Sequence, residues 1–475
     1  MIGREKEQEE LREIYSRDQA DLVAVYGRRR VGKTFLIKET FQDDFAFMHA
    51  GLFLEGVAPS DRLPAQLNAF YKSLVLYGCK EKEAPSTWFD AFFYLEKLLL
   101  EKKGKGKQII FLDELPWMDT PSSNFLSAFE GFWNSFACRK NLMVIVCGSA
   151  ASWMENKLIN AHGGLYGRVS FEIKLCPFSL KETREFLREE RRMSVSAYEA
   201  AEAYMAVGGV PYYLNYFKKG KSVPQNVNDI FFTKGSPLRL EYERLFDVTF
   251  ASATLARRIV ELLYKRKIGY SREEIIEKLS CSDNGDLSKT LNALLASDFV
   301  ATYSPFGLKR KTRYYKLVDP FCLFYLAFLG KKDPGEDYWL EHYGKPEANA
   351  WKGFAFENLC FNHVPQIKEK LGVSAVGCEV LPWYFEDEEG KGQVDMLLKR
   401  NDNVLNLCEM KFCKEDYSAS VDDFKKTNRR VEKAYSLLPK RFSVHSTLIT
   451  TFGLSQGEYA STYLDVVTLE DLIRS

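Results

Sequence analysis

Short apolar runs that end in glycine or acidic positions recur along the first 180 or so residues, separated by stretches of helical period. Asp21–Tyr26 reads as a buried strand, and the segment from Phe35 to Phe41 as the helix that follows it. Gln108–Asp113 and Asn141–Cys147 repeat the strand signal, and Phe171–Leu175 is a shorter version of it. Strands alternating with helices predict an α/β domain. The pattern then changes. Ala253–Leu263, Ser271–Leu279 and Asp286–Ala296 carry apolar residues at helical spacing, and Val300–Gly307 and Lys311–Leu317 read as two strands of a hairpin. Ser271 followed by Glu274 is a capping box. Pro320–Leu329 is strongly apolar, too short to span a bilayer, and reads as a buried helix. After a polar break at 331–337 a second α/β pattern begins, with an amphipathic helix over Trp351–Phe361 and strands around Asp395 and Glu409.

A chain of 475 residues is too long for one core and suggests about three domains. The divisions expected are 1–215, 216–330 and 336–475. The chain is 46% hydrophobic and 28% charged with a net charge of +1, an ordinary soluble balance that does not by itself advertise nucleic acid. The charged start lacks the apolar stretch of a signal peptide. The ten cysteines form no Cys-x-x-Cys pair, so neither a zinc module nor a disulfide framework is indicated, and a cytoplasmic setting is expected.

The most informative segment is the turn between the first strand and its helix. Gly27-Arg28-Arg29-Arg30-Val31-Gly32-Lys33-Thr34 is a phosphate-binding loop, whose amides converge on phosphate oxygens at a helix N-terminus. Arg30, Val31, Gly32 and Phe35 would contribute with Gly27 to that cradle. Lys33 reaches the β- and γ-phosphates and Thr34 offers a hydroxyl to Mg²⁺. The three arginines either add phosphate contacts or form a solvated basic turn. Asp113 ends an apolar strand expected beside the loop strand, where it would hold Mg²⁺. Glu114 would orient the attacking water. Ser149 follows the third strand, as a sensor of the γ-phosphate or as the start of the next helix. Arg168 is a candidate for neutralising transition-state charge, within the chain or across a homo-oligomer interface, or is a surface arginine.

Taken with Ile2-Gly3-Arg4-Glu5 at the start and Gly208-Gly-Val-Pro211-Tyr-Tyr-Leu downstream, these motifs resemble the archaeal-type ATPase family, near the AAA+ and STAND signal-transduction ATPases, over roughly residues 1–215. The resemblance implies ATP and Mg²⁺ as ligands, with Ile2, Gly3 and Arg4 lining the adenine pocket. It implies that Pro211 presses on the base from a helical lid, and that nucleotide state is communicated to the attached domains.

Residues 252–320 are similar to a winged helix-turn-helix. That fold would place its third helix in a DNA major groove and Lys309, Arg310, Lys311 and Arg313 on phosphates. The third helix carries little basic charge beyond Lys289, so protein packing is the alternative role.

In the last domain Asp395 interrupts an apolar strand, and Glu409 and Lys411 share one face of the next strand. A helical Glu357, then Asp395, then Glu-x-Lys resembles the PD-(D/E)XK nucleases, in the restriction-endonuclease-like fold, over about 340–450. The arrangement is also similar to the DUF234 region appended to archaeal-type ATPases. By that likeness Asp395 and Glu409, with Glu357 nearby, would hold Mg²⁺ or Mn²⁺, and Lys411 would steady the phosphodiester. The expected function is an ATP-hydrolysing protein whose nucleotide state controls a metal-dependent nuclease-like domain acting on DNA. The alternatives are a STAND-type switch with a non-catalytic last domain and a DNA-binding regulator. No membrane partner is expected.

Overall fold

The structure is a computed structural model that describes residues 2–102, 106–160, 164–250, 252–307, 312–330 and 334–474. The chain divides into two compact units, Met1–Cys176 and Pro177–Ser475. The expected boundary at 215 does not coincide with this break. The reason is apolar burial: Phe178, Leu180, Tyr204, Val210 and Tyr213 join one continuous core that runs on to Ile473.

The first unit is built on β1 (Asp21–Tyr26), β2 (Phe47–Ala50), β3 (Gln108–Asp113), β4 (Leu142–Gly148) and β5 (Phe171–Lys174). They pair in parallel in the order β2-β3-β4-β1-β5. Every residue of β1 and β4 is buried, as strands covered on both faces must be. This order corrects one expectation: β3 does not neighbour β1, because β4 lies between them. Asp113 therefore meets the loop across a strand, through the side chain of Thr34. A buried ion pair, Lys107 Nζ to Asp21 Oδ2 at 2.7 Å, fixes the start of β1.

The second unit opens with helices Leu180–Glu189, Ala197–Val207 and Val223–Phe231, each begun by a capping box. A middle module follows. Its helices Ala253–Tyr264, Arg272–Leu279 and Gly285–Ala296 pack with β6 (Tyr270–Ser271), β7 (Val300–Tyr303) and β8 (Tyr314–Leu317), an antiparallel sheet in the order β6-β8-β7. The capping box of Ser271 and Glu274 forms as the spacing requires. The two-residue β6 had no legible sequence signal. Lys309, Arg310 and Lys311 lie outside the described residues, whereas Arg313 is exposed. Helix Pro320–Phe328 is largely buried.

The last module sets helix Pro346–Asn362 against a mixed sheet of β9 (Cys378–Asp387), β10 (Gly390–Arg400), β11 (Val404–Lys411), β12 (Ser443–Thr450) and β13 (Asp465–Thr468). Their order is β13-β12-β11-β10-β9, antiparallel among β9, β10 and β11 and parallel from β11 to β13. Helix Val421–Leu437 connects β11 to β12. Among the described residues no helix is long and apolar enough to cross a membrane. No disulfide joins any of the ten cysteines, all of which lie among the described residues.

Candidate functional site

Gly27 leaves β1 with φ +139°, where a Cβ would stand 2.3 Å from the Leu175 carbonyl oxygen. Only glycine fits so close to the neighbouring strand. Gly32, at φ +92°, caps helix Lys33–Phe41. Lys33 is buried, and its ammonium donates to the carbonyls of Gly27 at 3.0 Å and Arg28 at 2.9 Å. Thr34 Oγ1 donates to Asp113 Oδ2 at 2.7 Å, and Asp113 Oδ1 accepts the Glu114 amide at 3.0 Å. A hydroxyl and a carboxylate in contact at the mouth of an amide-lined loop fit a hard divalent cation carrying waters and phosphate oxygens. Thr34 and Asp113 would hold Mg²⁺, which would offset charge on the phosphates.

Glu114 sits at φ +46°, a conformation non-glycine residues rarely take. From there its Oε2 accepts from both the amide (3.0 Å) and the hydroxyl (2.8 Å) of Ser149. The central place of β4 puts Ser149 beside Glu114. That contact was not legible, since strand order is not written in the motif.

Arg28 is 2% exposed, so the arginine run is not a wholly solvated turn; Arg29 and Arg30 are half-buried. Arg4 is also buried. Its guanidinium donates to the carbonyls of Cys176 (2.7 Å) and Val31 (3.4 Å), tying the N-terminal segment to the loop. Ile2 is half-buried, Gly3 is buried and Phe35 is 59% exposed. Arg168 is exposed on the turn preceding β5. Pro211 belongs to the second unit, in the first turn of helix Pro211–Leu214. Of its tyrosine neighbours, Tyr213 is a packing residue whose hydroxyl donates to buried Glu241 at 2.9 Å, and Tyr212 is 42% exposed.

The acids of the last module come together in part. The β10–β11 pairing runs to Met396 opposite Cys408, one step short of Asp395 and Glu409. The β9–β10 register shifts between Val394 and Leu397. This irregularity falls on Asp395, and such bulges re-aim a side chain. Asp395 accepts the Met410 amide at 2.9 Å and the Gln393 amide group at 3.1 Å. Burial, then the charges of Glu409 and Glu357, push its pKa up to about 7. Burial also raises that of Glu357.

Glu409 is held on both oxygens, by Lys411 at 2.8 Å and by Arg430 of helix Val421–Leu437 at 2.6 Å. Glu357 pairs with Lys267 at 3.5 Å. Among the described residues no group of three or more His, Cys, Asp or Glu side chains is arranged to hold a metal ion. The expected convergence of Glu357, Asp395 and Glu409 on Mg²⁺ or Mn²⁺ is not assembled among the described residues: cationic side chains take Glu409 and Glu357, and Asp395 is turned onto the Met410 amide and the Gln393 side chain. Arg430 was missed in the sequence. Its signal is positional: it lies between buried Thr427 and Ala434 on one helical face.

A parallel sheet carrying this loop, with Thr34 on Asp113, defines a P-loop nucleotide-binding domain. Residues 1–217 match the family described as an ATPase domain predominantly from Archaea, and this region is an ATPase domain of that type. The chain is 23% identical over 423 residues to an uncharacterized protein of Methanocaldococcus jannaschii, covering 86% of this chain and 87% of that one. Among solved structures, a Walker-type ATPase of Pyrococcus abyssi is 19% identical, with a TM-score of 0.47 over 69% of this chain and 96% of the other. A STAND protein with a tetratricopeptide repeat sensor from Pyrococcus horikoshii is 13% identical, with a TM-score of 0.30 over 79% of this chain and 52% of the other.

Proposed function

We propose that the protein binds and hydrolyses ATP, and that nucleotide state controls the last module, a PD-(D/E)XK nuclease-like domain acting on DNA. The observation that carries the first half is the 2.7 Å contact of Thr34 Oγ1 with Asp113 Oδ2 beside buried Lys33. In this reading Lys33 exchanges its carbonyl partners for phosphate oxygens, Asp113 and Thr34 hold Mg²⁺, and Glu114 orients the water. Arg168, exposed on its turn, is the candidate to meet transition-state charge, within the chain or across a subunit interface, and Ile2, Gly3 and Arg4 are proposed to line the base pocket. The second half is supported by Asp395, Glu409 and Lys411 standing on adjacent strands, with Glu357 on the covering helix. The middle module is read as a winged helix on its three helices and antiparallel sheet. Among the described residues the carboxylates as arranged do not gather three ligands for a divalent ion.

That same observation favours a second reading, a STAND-type switch in which the last module only binds partners. Supercoiled plasmid with Mg²⁺ or Mn²⁺, with and without ATP, separates the two. The expected result is nicking by the wild-type protein that requires ATP and is lost in Lys33→Ala and in Asp395→Ala/Lys411→Ala. Equal nicking by wild type and the double variant, or none under any nucleotide, removes the nuclease and leaves the switch.

A further inference from the structure

Two lysines of the middle module stand against the helix that carries Glu357. Helix Pro346–Asn362 presents Phe354, Glu357 and Phe361 along one face, at helical spacings of three and four. Lys267, in the turn before β6, places its Nζ 4.5 Å from the centroid of Phe354 and 3.5 Å from Glu357 Oε1. Lys316, on β8, places its Nζ 4.3 Å from the centroid of Phe361. The two ammonium groups therefore bracket Glu357 along the helix.

Lys316 is only 5% exposed, and a buried ammonium requires aromatic faces or anions around it. Its anionic neighbours are Glu357 and Asp395, with Lys267 the like charge. On the other side of the cluster Lys411 and Arg430 take both oxygens of Glu409. Two of the three carboxylates are thus paired with basic side chains, Glu409 with Lys411 and Arg430 and Glu357 with Lys267, while Asp395 rests on the Met410 amide and the Gln393 side chain. A divalent cation entering beside Glu357 would meet the Lys267 ammonium and, near neutral pH, the buried Lys316 ammonium, whose pKa burial lowers to about 8, which opposes its binding.

We propose that Lys267 and Lys316 are positioning residues of the carboxylate cluster, whose charges beside helix Pro346–Asn362 keep Glu357, and Asp395 next to it, from taking a divalent cation. The proposal rests on the nuclease-like reading of this cluster. It gives the middle module a role that needs no basic recognition helix: its two lysines set how readily the cluster takes a metal ion.

The test is Mn²⁺ binding to the full chain without nucleotide, counted by electron paramagnetic resonance. Lys267→Ala/Lys316→Met, which keeps an apolar stem at 316, is expected to bind Mn²⁺ about tenfold more tightly than wild type. Adding Asp395→Asn should abolish that gain, and Lys316→Arg should keep wild-type affinity. Lys267→Ala alone, at a half-exposed position, tests the idea without risk to the core and should show a smaller gain in the same direction. Equal, Asp395-dependent uptake by wild type and both lysine variants overturns the proposal alone. Absent or Asp395-independent uptake in every protein overturns it together with the nuclease-like reading.

Discussion

The chain contains two constellations of acids beside lysines, and their wiring is opposite. At the phosphate loop Asp113 rests on neutral donors, the Thr34 hydroxyl and the Glu114 amide, while Lys33 spends its ammonium on backbone carbonyls. In the last module Glu409 carries two cations and Glu357 one. A carboxylate kept on neutral donors can admit a metal without breaking an ion pair. One already paired must lose a counter-charge first, and a partly buried pair is costly to break. The same residue types therefore define an accessible cation site in one unit, whereas in the other Glu409 and Glu357 are self-neutralised and only Asp395 rests on neutral donors. Motif spelling does not distinguish the two.

The largest effect expected from this contrast is at Glu114. Glu114→Gln removes a base but leaves Lys33, Thr34 and Asp113 intact. ATP affinity should stay near wild type while turnover falls by about a thousandfold, the usual order for losing a positioned acid–base group. Single-turnover hydrolysis beside equilibrium ATP binding makes the measurement. Equal turnover in the variant would remove Glu114 from the water-orienting role and erase the sharpest difference between the two sites.

The next effect concerns the cost of charge in the second cluster. Asp395 is raised to about 7 by burial and by Glu409 and Glu357. A carboxyl whose folded pKa lies above its unfolded one contributes stability that is complete below the unfolded value and is lost as pH rises through the folded one. Between about pH 4 and 7 the wild-type second unit should thus lose stability that Asp395→Asn does not. In chelator at pH 8 the variant should be more stable by roughly 4 kcal/mol, with the difference vanishing near pH 4. Urea unfolding at the two pH values is the check. A variant less stable at pH 8 would mean that the ionised carboxylate is held by its donors rather than strained by its neighbours.

Much of this was legible, and the boundary of legibility is physical. The loop and the acid-tipped strands announce themselves because backbone phosphate binding demands contiguous residues. The helices of the middle module were visible through their period and through Ser271 with Glu274, since caps are local. Asp395 stood out as a charge inside an apolar strand. What stayed hidden depends on contacts between distant segments. The insertion of β4 between β1 and β3, the bulge at Asp395, and the arrival of Lys267 and Lys316 at Glu357 are tertiary facts. Lys316 in particular looks, in its own strand, like any alternating polar position, and only packing turns it inward.

The smallest expected effect is at Ser149, and it tests how the neutral-donor wiring works. Glu114 leaves β3 in a left-handed conformation, and its Oε2 is aimed by two donors of a single residue, the amide and the hydroxyl of Ser149. Ser149→Ala deletes one donor and keeps the other, so the carboxylate should lose direction without losing its place. A hydrogen bond to a charged group contributes on the order of 1.5 kcal/mol, so turnover should fall by about tenfold at unchanged KM, and Ser149→Thr should restore it. A rise in turnover instead would show that the hydroxyl holds Glu114 away from the water. The loop site would then be restrained by a neutral donor, much as Lys267 and Arg430 restrain the acids of the second unit, and the difference between the two clusters would be one of strength rather than of kind.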